Sequence, residues 1–206
     1  MIGGPEMEEQ EIDIISREVT AFRAGWLNLQ VTTDGLQIMT FDAEEFYRLR
    51  DLAIGILNTL RHTPISVMGI NREVHLSVSD KEQWHAVGDA LVPKDIWKKE
   101  MTVPGMRNVT VWDARPDEHS GHVQVQVEPS ARIPQAIYIA CNDHYNLAPA
   151  SRTPSRDVAW DLSEEILSSS KKIPISVSIL TDDWIEVTKR ADSYLSIVKA
   201  LAEASE

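Results

Sequence analysis

Residues 121–147 read GHVQVQVEPSARIPQAIYIACNDHYNL, and this stretch decides the fold. Val123, Val125 and Val127 alternate with polar neighbours. Pro129, Ser130 and Pro134 then supply a turn, and Ile137, Ile139 and Cys141 resume the alternation. A period of two, apolar on one side and polar on the other, marks antiparallel strands with one face on a core. Upstream, Val109 and Val111 begin a third run, joined to the next by Pro116-Asp117 and Ser120-Gly121. The three runs make a meander.

Outward from the meander, Leu27, Leu29 and Val31 alternate, Thr33-Asp34-Gly35 turns, and Leu36 and Ile38 return as a hairpin. The period then changes. Asp42 and Glu45 form a capping box before Phe46, Leu49, Ala53, Ile56, Leu57 and Leu60, so a helix is expected at 42–61. Ile65 and Val67 are apolar at odd positions, Val74, Leu76 and Val78 at even ones. A bulge or bend near Gly69 would reconcile the two. Ser79 and Glu82 form another capping box, opening a helix at 79–92 that carries Trp84, Val87 and Leu91 and stops at Pro93. Residues 12–20 fit helix and strand equally.

The C-terminal quarter turns helical. After a linker at 148–156, Val158, Ala159, Leu162, Ile166 and Leu167 form one stripe, within a helix expected at 155–170. Trp184, Val187, Ala191, Tyr194, Leu195, Val198 and Leu201 form a longer one. Between them Ile173, Ile175, Val177 and Ile179 alternate and read as a strand. The expected class is α+β, an antiparallel sheet of hairpin plus meander covered on one face by helices. Residues 1–10 form a flexible N-terminus, 11–148 the sheet domain, and 155–206 a helical segment packed on that domain or on a partner. Wrapping the long stripe around its own sheet or a second copy would bury it, so a homodimer through this helix is expected as one outcome.

The 206 residues carry a formal charge of −12, concentrated at the ends: −5 over residues 1–20, −3 over 21–154 and −4 over 155–206. No lysine- or arginine-rich run offsets it, which argues against a nucleic-acid partner. The single cysteine, Cys141, falls on the apolar side of its strand and reads as a core residue. One cysteine excludes an internal disulfide and a cysteine-based zinc cluster. No apolar run approaches the ~18 residues of a membrane span, and acidic residues stand where a signal peptide has basic ones. A cytoplasmic location without cofactor or metal follows as an expectation.

Four places collect candidate chemistry. His119 and His122, with Asp113, Asp117 and Glu118, crowd the hairpin within 113–122, where a tip could converge ligands on a metal. Asn142-Asp143-His144-Tyr145 follows an apolar strand, where a rigid sheet can present functional groups. Neighbours on a strand point to opposite faces, so Asp143 and His144 should not pair. Asn71-Arg72 sits at the expected bend, with Arg72 a carboxylate clamp. Trp97, in the loop after Pro93, is a candidate partner anchor. No glycine-rich phosphate loop or nucleophile elbow occurs.

The order hairpin, helix, strand, helix, meander over 25–147, with Gly69-Ile70-Asn71-Arg72, Pro104-Gly105-Met106-Arg107 and Asn142-Asp143-His144-Tyr145, resembles bacterial proteins of sporadic distribution and unassigned function. The resemblance implies a bacterial origin and a mobile or defence-linked locus, and no residue role. The functional expectation is a non-catalytic binding or assembly protein acting through protein–protein contacts. Its binding residues would be Asn71, Arg72, Trp97, Asn142, Asp143 and His144, and its oligomer contact the helix stripe from Trp184 to Val198. The alternatives are a hydrolase or metal-dependent enzyme using 113–122 and 142–145, and an acidic chaperone-like binder.

Overall fold

The structure, a computed structural model, describes residues 11–147 and 169–204. The expected flexible N-terminus at 1–10, the linker at 148–156 and the Val158–Leu167 stripe lie outside the described residues. The strands form two four-stranded antiparallel sheets, so the class is α+β. The first sheet runs β1 (Glu11–Ile15), β2 (Val19–Ala24), β3 (Leu27–Thr32) and β4 (Leu36–Met39), in that order. The second contains β5 (Val67–Ser77), β6 (Val109–Ala114), β7 (Gly121–Pro129) and β8 (Ala136–Asn146), in the order β5-β8-β7-β6. Hairpin and meander therefore do not share a sheet. The residues that fitted helix and strand equally are two strands, which complete the hairpin's sheet. Gly25, with φ +55°, takes the first central position of the two-residue β2–β3 turn, as a type II′ connection needs.

The helices follow the capping signals with one shift. A short 3₁₀ turn at Ala43–Glu45 leads into α1 (Phe46–Thr59), and Asp42 accepts the Glu44 amide at 2.9 Å. For α2 (Lys81–Leu91) the cap is Asp80, not Ser79: its carboxylate accepts the Gln83 amide at 2.9 Å, and Gln83 reaches back to the Ser79 amide at 3.1 Å.

Two expectations are corrected. β5 pairs with β8 residue for residue from Val67 to Ser77, with no bulge at Gly69. Met68, Ile70, Arg72, Val74 and Leu76 all take the inner face, and Val67 points outward, half exposed. Residues 173–180 are helical, within α3 (Ser169–Ser178) and a wide π turn at Ile179–Asp183 that leads into α4 (Trp184–Glu203). Ile173, Ser176, Ile179 and Leu180 are buried, at the three-to-four spacing of a helix face, and tertiary contacts override the β-branched composition. Ser176 and Thr181 hydroxyls donate to the carbonyls four residues back, at 3.1 and 2.8 Å.

The main core lies between the inner face of the second sheet and the helices. Val127, Ile137, Ile139 and Cys141 meet Val87 of α2 and Ala191, Val198 and Ala202 of α4. A second cluster joins Tyr145 and Leu147 to Ile179 and Val187. Gly121 opens β7 at φ +133°, where a Cβ would strike the His144 carbonyl of the neighbouring strand. Gly121→Ala is therefore expected to destabilise the protein by at least ~2 kcal/mol in denaturant unfolding, and an unchanged midpoint would contradict the strand contact.

Candidate functional site

Strand parity sorts the polar cluster at the end of β8. Asp143 and Tyr145 share the inner face with Ile137, Ile139 and Cys141 and are buried, while Asn142 and His144 face outward. The separation of Asp143 from His144 follows the alternation expected of a strand.

Inside, Asp143 sits between two arginines. Arg115 Nη1 donates to its Oδ1 at 3.1 Å, and Arg190 Nε of α4 lies 3.2 Å from the same oxygen as an ion pair. Arg115 also forks onto Asp117, at 2.9 and 2.5 Å, and lays its guanidinium 3.5 Å from the Tyr145 ring centre. The Arg115 side chain is wholly out of solvent. Burial pushes the Asp143 carboxyl above the usual aspartate range against the pull of Arg190 and Arg115. Asp117 is less deeply set: burial raises it, and the Arg115 hydrogen bond and charge outweigh that, holding it below its usual value. His119 Nε2 meets Asp183 Oδ2 of the π turn at 2.7 Å, and its ring stands edge-on to Tyr145. The Tyr145 hydroxyl is buried without a hydrogen-bond partner among the described residues. The cluster thus ties the β6–β7 tip, the end of β8 and the start of α4 together.

The other predicted positions divide. Arg72 points inward, pairs with Asp192 of α4 at 2.9 Å and covers the Phe46 ring. Asn71 faces outward and accepts from Asn142 Nδ2 at 2.6 Å. Trp97 is half exposed in a helical turn after Lys94, beside exposed Ile96, Met101 and Val103. That loop and α2 bound a cleft of about 800 Å³ lined by Trp84, Val87, Pro104 and Met106. Cys141 is buried, and desolvation pushes its thiol up to about 11, away from nucleophilic thiolate. Among the described residues no three histidine, cysteine or carboxylate side chains converge as a metal would require. No described helix is long and apolar enough to cross a membrane.

The expected oligomer stripe is inside the molecule. Val187, Ala191 and Val198 are buried, Tyr194 and Leu195 pack against the second sheet's core, and Trp184 is half-buried. The inner face of that sheet needed a cover, and α4 is the cover. Comparison with family models, curated proteins and solved structures finds no match.

The first sheet presents a surface that sequence reading did not single out. In cross-strand register, Ile12, Phe22, Leu29 and Ile38 form one row, and Ile15, Thr20, Val31 and Leu36 the next. A register shift between Ile12 and Ile14 keeps both Ile12 and Ile15 on this side. Ala24 and Leu27 close one end and are buried. The rest is open: Ile12 is 59%, Ile15 70%, Val31 41% and Leu36 44% exposed. Among the described residues no charged side chain lies on the face. The opposite face mixes Ile14, Val19, Ala21 and Met39 with Asn28, Gln30, Gln37 and Arg23, the last paired with Asp13 at 2.7 Å.

Proposed function

We propose that the protein is a binding and assembly module acting through protein–protein contact, with the apolar face of the N-terminal sheet as its contact surface. The exposed apolar rows across four strands support this reading. An antiparallel sheet with one apolar face needs a second layer over that face, and among the described residues none fills that place along Ile12, Ile15, Val31 and Leu36. The charge cluster behind β8 contrasts with it. Each of its carboxylates is engaged by a guanidinium or an imidazole, which suits a lock between elements.

The occupant of the face is a second copy of this chain. A molecule of charge −12 meets its own copy without like-charge opposition only through an uncharged surface, and this face is one. Two such faces stack as a sandwich about 10 Å apart with one repeated contact. Four strands at ~4.8 Å and about six residues at ~3.3 Å make a small interface, so the dissociation constant is on the order of micromolar.

Cysteine cross-linking tests the placement. With Cys141 buried, Val31→Cys and Ile15→Cys should give linked dimers with a short bifunctional maleimide, and Gln37→Cys, on the opposite face, should not. Equal yields from all three, or none from the first two, would contradict the assignment.

A further inference from the structure

The outer face of the second sheet carries two rows in strict register that mix amides and imidazoles with an indole and small residues. Asn71, Asn142, Gln124 and Trp112 lie across β5, β8, β7 and β6 in one row. Gly69, His144, His122 and Ala114 form the next. Side-chain contacts confirm the shared face: the His122 and His144 rings stack at 4.6 Å, and Trp112 stands edge-on to His122 at 6.3 Å. Trp112 is 41% exposed at the end of its row. Gly69 leaves a shallow floor, since a Cβ there would meet nothing closer than 3.8 Å.

Solvated faces of antiparallel sheets are usually covered with charge. This chain is 25% charged, yet neither row holds a lysine, arginine, aspartate or glutamate; the acids of this face, Glu73 and Glu128, stand in the next two rows. Burial first, then the His144 and Arg115 charges, hold His122 below its usual value, which favours its neutral form. Asn142 Oδ1 is buried and has no hydrogen-bond partner among the described residues, so the amide row is not closed on itself.

We propose that this face binds a neutral, hydroxyl-rich ligand, a short saccharide, with the Trp112 indole against the C–H face of a sugar ring and the amides and imidazoles on its hydroxyls. Asn and Gln each offer a donor and an acceptor side by side, the complement of neighbouring hydroxyls. An indole supplies a flat apolar platform with a polar edge. Without a cation the rows give a phosphate or nucleic acid nothing to neutralise. With one aromatic group they lack the apolar centre of a protein interface. The rows cross four strands, about 14 Å, which suits several linked sugars over one. The site is independent of the apolar face on the other sheet.

Titration calorimetry and tryptophan fluorescence with cellotetraose, chitotetraose and maltotetraose test the proposal. At least one probe should bind saturably with a dissociation constant of about 1 mM or tighter. Trp112→Ala and Gln124→Ala should each weaken that probe about tenfold or more, with melting temperature as the fold control. Glu128→Gln, four residues beyond Gln124 on β7 and in neither row, should bind as the parent does. Absence of binding by all three probes up to about 10 mM, or binding unchanged in both row variants, overturns the proposal.

Discussion

Asp143→Ala is expected to lower unfolding free energy by about 3 kcal/mol, because it removes the more deeply buried of the two carboxylates that Arg115 and Arg190 share and leaves both with Asp117 alone. Arg190 Nε has no hydrogen-bond partner and is held by the Asp143 charge alone at that atom, 3.2 Å away. Arg115 keeps its fork onto Asp117 and loses only its Nη1 contact, which sets the effect at the lower end of the range for broken buried pairs. Arg115→Met should cost a similar amount, since it strips Asp117 of its principal partner and removes the guanidinium from the Tyr145 ring. Urea unfolding followed by circular dichroism measures both. A loss under ~1 kcal/mol for Asp143→Ala would mean that the cluster is solvated and does not lock the β6–β7 tip to α4.

Much of this was legible in the sequence, for physical reasons that differ by element. The meander, the 27–38 hairpin and α1 each carry a clean period and a turn or cap, so local pattern and tertiary structure agree. β1 was not legible because the register shift near Ile12 breaks the alternation that identifies a strand. Residues 173–179 alternate by composition, and only packing against Tyr145 and Leu147 shows that their helical face is the buried one. The parity argument at 142–145 separated Asp143 from His144, and the alternation of Ile137, Ile139 and Cys141 continues to Asp143, which is buried and so demands a cation. That signal pointed to an arginine without saying which. Arg115 and Arg190 come from a hairpin tip and a helix 75 positions apart in sequence, brought together by the sheet. Tyr145 and Asp183 carried no local pattern at all. The apolar side of the first sheet could be read from Leu27, Leu29, Val31, Leu36 and Ile38. What covers a face is a tertiary property, and the long α4 stripe is covered within its own chain.

The second large effect concerns that face. Val31→Glu with Leu36→Glu places two carboxylates among apolar rows that are already half in water, so the fold of one chain should tolerate them. In a stacked pair the same groups would lose hydration opposite identical charges. The pair is expected to weaken by about 100-fold or more, through desolvation and like-charge repulsion together. Far-ultraviolet dichroism should be unchanged. A variant that dimerises as the parent does would place the contact elsewhere.

Sedimentation equilibrium of the parent chain from about 1 to 100 µM, at ~0.15 M and ~0.5 M salt, tests the assembly reading most directly. The expected result is a concentration-dependent rise from the 23.2 kDa monomer toward twice that mass. Association should be tighter at the higher salt, because screening relieves repulsion between two chains of charge −12 while apolar burial is retained. A 23.2 kDa species at every concentration and both salts would contradict it.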